Sequence, residues 1–494
     1  MPTEPALPRG RAAHDVLGEL RALRAGDAPT RGGRTFAYVY DPGLDGLDEL
    51  AAEAYAAYAS VNGLDMTVFP SVARLENDLV AAAVSLLGTP GAQGTFTSGG
   101  TESILLAVKT ARDHARAVRG VTAPRLVLPS TAHAAFHKAA AYLGLETVVV
   151  PVDARTFRAD AAATAAAVTE RTALVVASAP SYAHGVIDPV PEIAAAAAER
   201  GVLCHVDACI GGWLLPYLRR AGRRVPDFDL SVPGVTSLSV DLHKYGYADK
   251  GASVVLYRDA GLRRHQYFAH AGWPGYPVVN PTVQGSKPAG LLAQAWAVQR
   301  HIGEDGYTAL AERIAESMDR LLTGLRAMDG VRVLGEPEAS LVAFTPTGAD
   351  GAPDASRMLH LADEMRERGW YLQPQLSFDG LPPNLHLTLT PATHGRVDAL
   401  LADLRASLDA AGAREPVTAD PGLVRLAAGL DPDALGPDEI AAVLAFAGLG
   451  GKDDGGGTGG LPRRMAPVLA LLDALPRRLK ERLLVEFVGS VFRV

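Results

Sequence analysis

The first clear pattern along the chain is apolar residues at helical spacing. Residues from Leu47 to Ser60 read as one helical stretch. Val72, Leu75, Leu79, Val80, Ala83 and Leu86 then recur three or four residues apart, as on a helix with one buried face. Pro70 precedes that run and Gly88 follows it, which suits a helix start and stop. From Gly94 the pattern changes. Short runs, GTFTS, RLVLP, TVVVPVD, ALVVAS, VLCHVDA, VTSLSVD and ASVVLY, alternate with helical segments such as Thr101 to Arg119 and Pro191 to Arg200. Most of these runs are continuously apolar, as expected of strands covered on both faces. Strand–helix alternation predicts an α/β fold with a mostly parallel seven-stranded sheet.

A second unit is expected from Tyr307. A long amphipathic helix runs to Met328, followed by VRVLG, SLVAFTP, a helix near Ser356 to Arg368, WYLQP, NLHLTLT and a helix from Arg396. The expected organisation is an N-terminal segment over 1–60, a large domain over 61–306, a small α+β domain over 307–412 and a helical tail over 413–494. The run GGKDDGGGTGG at 450–460 reads as a flexible linker. From Pro462 onward, leucines and valines fall at helical spacing, and Pro476 is expected to divide them into two helices. Arg477, Arg478, Lys480 and Arg482 give the second helix a basic start. A helical hairpin packed on the main body is the simpler expectation, and a membrane-surface or partner helix the alternative.

Composition narrows the class. With 48% hydrophobic residues, the 494-residue chain can build a large core. Its 47 basic and 55 acidic residues form no extended basic field, so no nucleic-acid partner is expected. Two cysteines, Cys204 and Cys209, make no disulfide framework and lack a second ligand pair for zinc, so no metal is expected. No apolar run reaches the roughly 18 residues of a membrane span. The N-terminus carries acids and no signal-peptide core. A cytoplasmic protein is the expectation. Only seven of the basic residues are lysine, which makes their positions informative.

Four signals carry chemistry. Thr97-Ser98-Gly99-Gly100-Thr101-Glu102-Ser103 follows a strand and opens a helix. Its glycines let an anion approach the backbone, and the helix start offers free amides and a positive dipole end. The alternative is an ordinary glycine-rich turn, and the spacing is neither a GxGxxG fingerprint nor a Walker A loop. Asp207 ends an apolar strand, where α/β ligand sites gather. Capping a helix or bracing a loop is its plainer role. Lys244 follows the strand ending in Asp241, and burial would lower its pKa and make its amine nucleophilic. A solvent-facing lysine is the plainer reading. His133 follows RLVLP, and a satisfied core histidine is its default. Together they suit pyridoxal phosphate: an anion cradle, an imidazole to stack on a flat ring, an acid for the ring nitrogen and an amine to bond the aldehyde carbon.

These stretches are identified as resembling the sphingosine-1-phosphate lyases, within the group II pyridoxal-phosphate decarboxylases of fold-type I. The similar segments are TSGGTESILLAVKTARD, STAHAAFHKAA, HGVIDPVPE, HVDACIGGWLLPY, SVDLHKYGYADKGASVVLY and GSKPAG. The resemblance implies Lys244 as the lysine bonded to the cofactor, Asp207 at the ring nitrogen and His133 stacked on the ring. It places Gly100, Thr101 and His243 near the cofactor phosphate, which the reading of the turn seats on Ser98, Gly99, Gly100 and Thr101. Ser286 would reach the phosphate of a neighbouring subunit, since such enzymes are homodimers with shared active sites. Tyr40 is assigned to catalysis with them. Asn62, Asp65, His184, Cys209, Tyr245, Lys250 and Tyr276 would lie near substrate.

The implied reaction is retro-aldol cleavage of the Cα–Cβ bond of a 2-amino-3-hydroxy compound, giving an aldehyde and an amine. The same cofactor residues would serve an amino-acid α-decarboxylase, which is the alternative. A catalytically silent protein that binds partners through its C-terminal helices is a third. The chain departs from the family at two places. Asp65 stands where relatives carry histidine, and Val278 lies near a family tyrosine. Both family residues help hold a substrate phosphate, so Asp65 is expected to contact a hydroxyl or amine instead, because a carboxylate repels a phosphate.

Overall fold

The computed structural model describes residues 10–436, 439–440 and 462–492. The expected linker at 450–460 lies outside them. The chain divides into two compact units, one of residues 31–416 and one formed by 1–30 with 417–494.

All seven expected strands form in the larger unit. They are β1 Gln93–Thr97, β2 Arg125–Pro129, β3 Glu146–Val150, β4 Thr172–Ser178, β5 Leu203–Asp207, β6 Val235–Asp241 and β7 Ser253–Tyr257. They make one sheet in the order β1-β7-β6-β5-β4-β2-β3. In this sheet only β7 runs against the others, pairing antiparallel with both β1 and β6. Every residue of β4 and of β7 is buried. That explains their unbroken apolar runs, since helices cover both faces. Val108, Leu126, Leu128, Phe136, Leu174 and Val176 pack together as one cluster between strands and helices.

Parallel strands point their carboxyl ends to one edge, and ligand-binding loops collect there. The turns after β1, β2, β5 and β6 bring Ser98 to Thr101, His133, Asp207 and Lys244 to that edge. Helix Gly100–Arg119 follows β1 directly, and helix Ala134–Leu143 follows β2. The strand order therefore gathers residues up to 146 positions apart in sequence.

Helix Gly290–Arg326 starts earlier than the expected Tyr307. It breaks at Gly303, whose φ of 64° and ψ of 176° leave helical geometry. A hairpin of β8 Phe268–His270 and β9 Val278–Asn280 precedes it. Sequence patterning did not anticipate that hairpin, because its side chains are largely exposed and lack an apolar period. The second sheet is antiparallel, in the order β10 Val331–Val333, β11 Leu341–Pro346, β13 Asn384–Thr388, β12 Gln373–Gln375.

In the smaller unit, helices Ala466–Ala474 and Arg477–Val491 meet at Pro476 as expected. Leu479 and Leu483 are buried there, whereas Val485 and Phe492 are exposed. Helix Ala13–Leu23 lies inside the expected N-terminal segment, and every residue of it is exposed. No helix among the described residues is long and apolar enough to cross a membrane.

Candidate active site

The turn after β1 is shaped by its glycines. Gly99 has a φ of 148°, a conformation that side chains disfavour. A Cβ on Gly100 would lie 2.8 Å from both Asp241 Oδ2 and Cys209 Sγ, so only glycine fits. Glu102 and Ser103 donate their amides to Gly99 O, at 3.0 and 3.1 Å. The amides of Gly100 and Thr101, at the helix start, have no intrahelical acceptor and sit at the positive end of a 20-residue helix. A chain of hydroxyls fixes this helix to the sheet. Thr97 Oγ1 lies 2.7 Å from Ser103 Oγ, which lies 2.9 Å from Ser253 Oγ on β7.

Lys244 sits three residues beyond the end of β6. Its Nζ pairs with Asp241 Oδ2 at 2.9 Å, in a site where Asp241 is buried. Burial disfavours the lysine's charge, but Asp241 chiefly, with Tyr40, Cys209 and Asp207, outweighs it and raises the pKa. This corrects the expectation of a lowered value. The pairing with Asp241 therefore favours the charged form of the amine. For Asp241 itself, burial pushes upward, and Lys244 and His243 overcome it to lower its pKa. His243 Nε2 stands 3.6 Å from Asp241 Oδ2, and its Nδ1 accepts the Ala252 amide at 3.3 Å.

Asp207 accepts the Cys209 amide at 3.1 Å and the Ser239 hydroxyl at 3.5 Å through Oδ1. These contacts fix its carboxylate at the end of β5. The Cys209 thiol donates to Ser239 Oγ at 3.3 Å, and burial pushes its pKa well above the usual thiol value. His133 caps helix Ala134–Leu143, its Nδ1 accepting the Ala135 amide at 3.2 Å. That bond sets the ring's orientation.

Ser98, Gly99, Gly100, Thr101, His133, Asp207, Cys209, His243 and Lys244 line one cavity of about 320 Å³. Asp241, Glu102, Ser178, Ile210 and Tyr182 also line it, and sequence reasoning did not assign them. Asp241 could have been found from its place at a strand end three residues before the lysine. Tyr182 had no such signal, because it lies in a loop and depends on the small sheet. Its hydroxyl donates to Gln373 Oε1 at 2.5 Å, and Gln373 Nε2 donates to Tyr38 at 2.8 Å.

The remaining expected residues do not line this cavity, although Tyr40 and Lys250 are near enough to act on Lys244. Tyr40 is half-buried, its ring edge-on to Tyr245 at 5.2 Å and beneath Lys250 Nζ at 4.5 Å. Burial pushes its phenol up to about 12, against Lys244, so it is neutral. Lys250 donates to His243 O at 3.4 Å. Part of it is open to solvent, yet desolvation of its amine and the nearby Lys244 lower it to about 8. Tyr245 is buried and donates to Leu389 O at 2.8 Å. His184 stacks on Phe157 at 4.2 Å, and burial lowers it to about 4. Asn62 Oδ1 accepts the Leu64 amide at 3.1 Å. Asp65 Oδ1 accepts both the amide and the hydroxyl of Thr67, at 2.8 and 2.6 Å, on the exposed surface. Those bonds lower its pKa. Tyr276 is exposed beside Trp273, and Ser286 is exposed in the segment 281–288.

The cavity's donor set suits pyridoxal phosphate. Helix-start amides and hydroxyls can take the phosphate, the His133 imidazole a ring face, the Asp207 carboxylate a protonated ring nitrogen, and Lys244 the aldehyde carbon. No group of three or more His, Cys, Asp or Glu among the described residues is arranged to hold a metal.

Comparison with known proteins agrees with this reading. The family pattern "Pyridoxal-dependent decarboxylase conserved domain" matches residues 30–346. A pattern for a C-terminal HTH domain of pyridoxal-dependent enzymes matches 421–490. The sphingosine-1-phosphate lyase of Arabidopsis thaliana is 39% identical over 428 residues, covering 85% of this chain and 76% of its own. The "Probable L-tyrosine/L-aspartate decarboxylase" of Methanothermobacter thermautotrophicus is 32% identical over 360 residues, covering 72% of this chain and 93% of its own. The solved structure of the sphingosine-1-phosphate lyase of Burkholderia pseudomallei superimposes with a TM-score of 0.77 at 37% identity. That match covers 83% of this chain and 93% of the other.

Proposed function

From the premise that the chain belongs to the pyridoxal-dependent decarboxylase family and is a sphingosine-1-phosphate lyase-like lyase, we propose retro-aldol cleavage of a 2-amino-3-hydroxy substrate. In the net reaction the 3-hydroxyl loses its proton, the Cα–Cβ bond breaks to give an aldehyde, and Cα gains a proton to give an amine. The cofactor is pyridoxal 5'-phosphate; when bound, it supplies an electron sink for the pair released at Cα. The observation that carries the reading is the 37–39% identity to sphingosine-1-phosphate lyases along most of the chain.

The residues divide the work. Lys244, held by Asp241 at the cavity wall, would hold the cofactor through its amine. Asp207, its carboxylate fixed by Ser239 and the Cys209 amide, would pair with the cofactor's ring nitrogen. Tyr182 already donates its O–H to Gln373, so its oxygen is free to accept from a substrate hydroxyl or ammonium. Tyr40, neutral at physiological pH, donates or accepts at the substrate oxygens. Lys250, charged below about pH 8, draws a substrate phosphate. The functional form is a homodimer, in which Ser286 meets the cofactor phosphate of the other subunit. Two free, buried cysteines support a place in the cytoplasm.

The second reading is α-decarboxylation of an amino acid, favoured by the methanogen relative. Incubation with sphingoid bases, with and without a 1-phosphate, and with tyrosine and aspartate separates the two. Aldehyde and amine without carbon dioxide are expected. Carbon dioxide from an amino acid, with no aldehyde from any sphingoid base, would replace lyase by decarboxylase.

A further inference from the structure

Two carboxylates bind the segment carrying Ser286 to the strand and turn of its own subunit's cofactor site. Glu102 is buried and directed at that turn. Its Oε2 accepts the Ser98 amide at 2.6 Å, and its Oε1 accepts the Val283 amide at 2.7 Å. Glu76 makes a parallel link. Its Oε1 accepts the Phe96 amide of β1 at 2.9 Å, and its Oε2 takes Lys287 Nζ at 2.8 Å. Lys287 is itself buried, 6% exposed, over the Phe96 ring. Ser286 thus lies between two anchored residues, Val283 and Lys287. Gln284, Gly285 and Ser286 between them are exposed.

A carboxylate beside a phosphate cradle needs a reason, because it repels the anion it adjoins. Here both Glu102 oxygens are occupied by amides, one on each side, so the group acts as a rigid spacer. Charge-assisted bonds of this length hold position more firmly than neutral ones.

We infer that Glu102, assisted by Glu76, is a positioning residue that couples the two active sites of the dimer. It ties the Ser98 turn of one site to the segment that delivers Ser286 to the other. A shift at one cradle then moves the hydroxyl offered to the neighbouring cradle. This rests on the proposed dimer in which Ser286 reaches across.

Mixed dimers test the coupling. One subunit carries Lys244→Ala, so covalently bound cofactor absorbs only in the wild-type subunit. Adding Glu102→Gln to the Lys244→Ala subunit is expected to raise the cofactor dissociation constant of the wild-type site about tenfold. Glu102→Asp, too short to span both amides, is expected to act alike. Melting temperature and dimer mass report whether the mixed dimer stays folded. Ser286→Ala in the same subunit is the control for reach. If Ser286→Ala weakens the wild-type site and neither Glu102 variant does, the coupling role is overturned. If Ser286→Ala is also silent, the reach across the dimer fails and the coupling fails with it.

Discussion

The two sides of the cavity are built differently. On the cofactor side, most partners are near in sequence or on the neighbouring strand. Lys244 meets Asp241, Asp207 meets the Cys209 amide and Ser239, and His133 meets the Ala135 amide. On the substrate side, Asn62, Asp65 and Lys250 bond near neighbours, but two tyrosines find partners far along the chain. Tyr182 depends on Gln373, and Tyr245 on Leu389. Chemistry common to a whole cofactor class can be stored in short motifs at strand ends. Selectivity is assembled from loops that only tertiary structure brings together.

The sharpest challenge to this contrast is Lys244→Ala. Activity should fall by about a thousandfold or more, and the absorbance of covalently bound cofactor should vanish. Persistence of either would remove Lys244 from the chemistry and leave the cofactor side without its centre. A smaller effect is expected on the substrate side. Lys250 carries charge below about pH 8 and loses it above. KM for a phosphorylated substrate should therefore rise above pH 8, approaching about tenfold per pH unit, while an unphosphorylated one is unaffected. Lys250→Met should abolish that limb in initial-rate profiles. The smallest effect belongs to Asp65, whose carboxylate is occupied by Thr67. Asp65→Asn should change kcat/KM by less than about twofold and lower the melting temperature by about 1–2 °C. A tenfold change in kcat/KM would return Asp65 to the substrate side, as the sequence first suggested.

Legibility followed the same division. Continuous apolar runs marked β4 and β7, because both faces of the sheet are covered. Gly99-Gly100 and Lys244 were readable because few residues can do their tasks. The hairpin at Phe268 and Val278 left no such trace, since its side chains face outward. His184, expected beside substrate, stacks on Phe157, and Tyr245 bonds Leu389. Nothing local distinguishes a histidine packed on phenylalanine from one facing a ligand. The raised pKa of Lys244 was likewise hidden, because burial alone argues downward and only the closeness of Asp241 in the fold reverses the sign.

The antiparallel strand β7 has a consequence for synthesis. β1 lies at the edge of the sheet and pairs only with β7, Gln93 opposite Tyr257. The anion-binding turn is therefore among the first parts of the core to leave the ribosome, yet it gains its backing only when residues near 257 have emerged. Cofactor loading must wait for more than half of the chain. A nascent polypeptide stalled before Ser253 would hold every glycine of the cradle and still be unable to retain its vitamin.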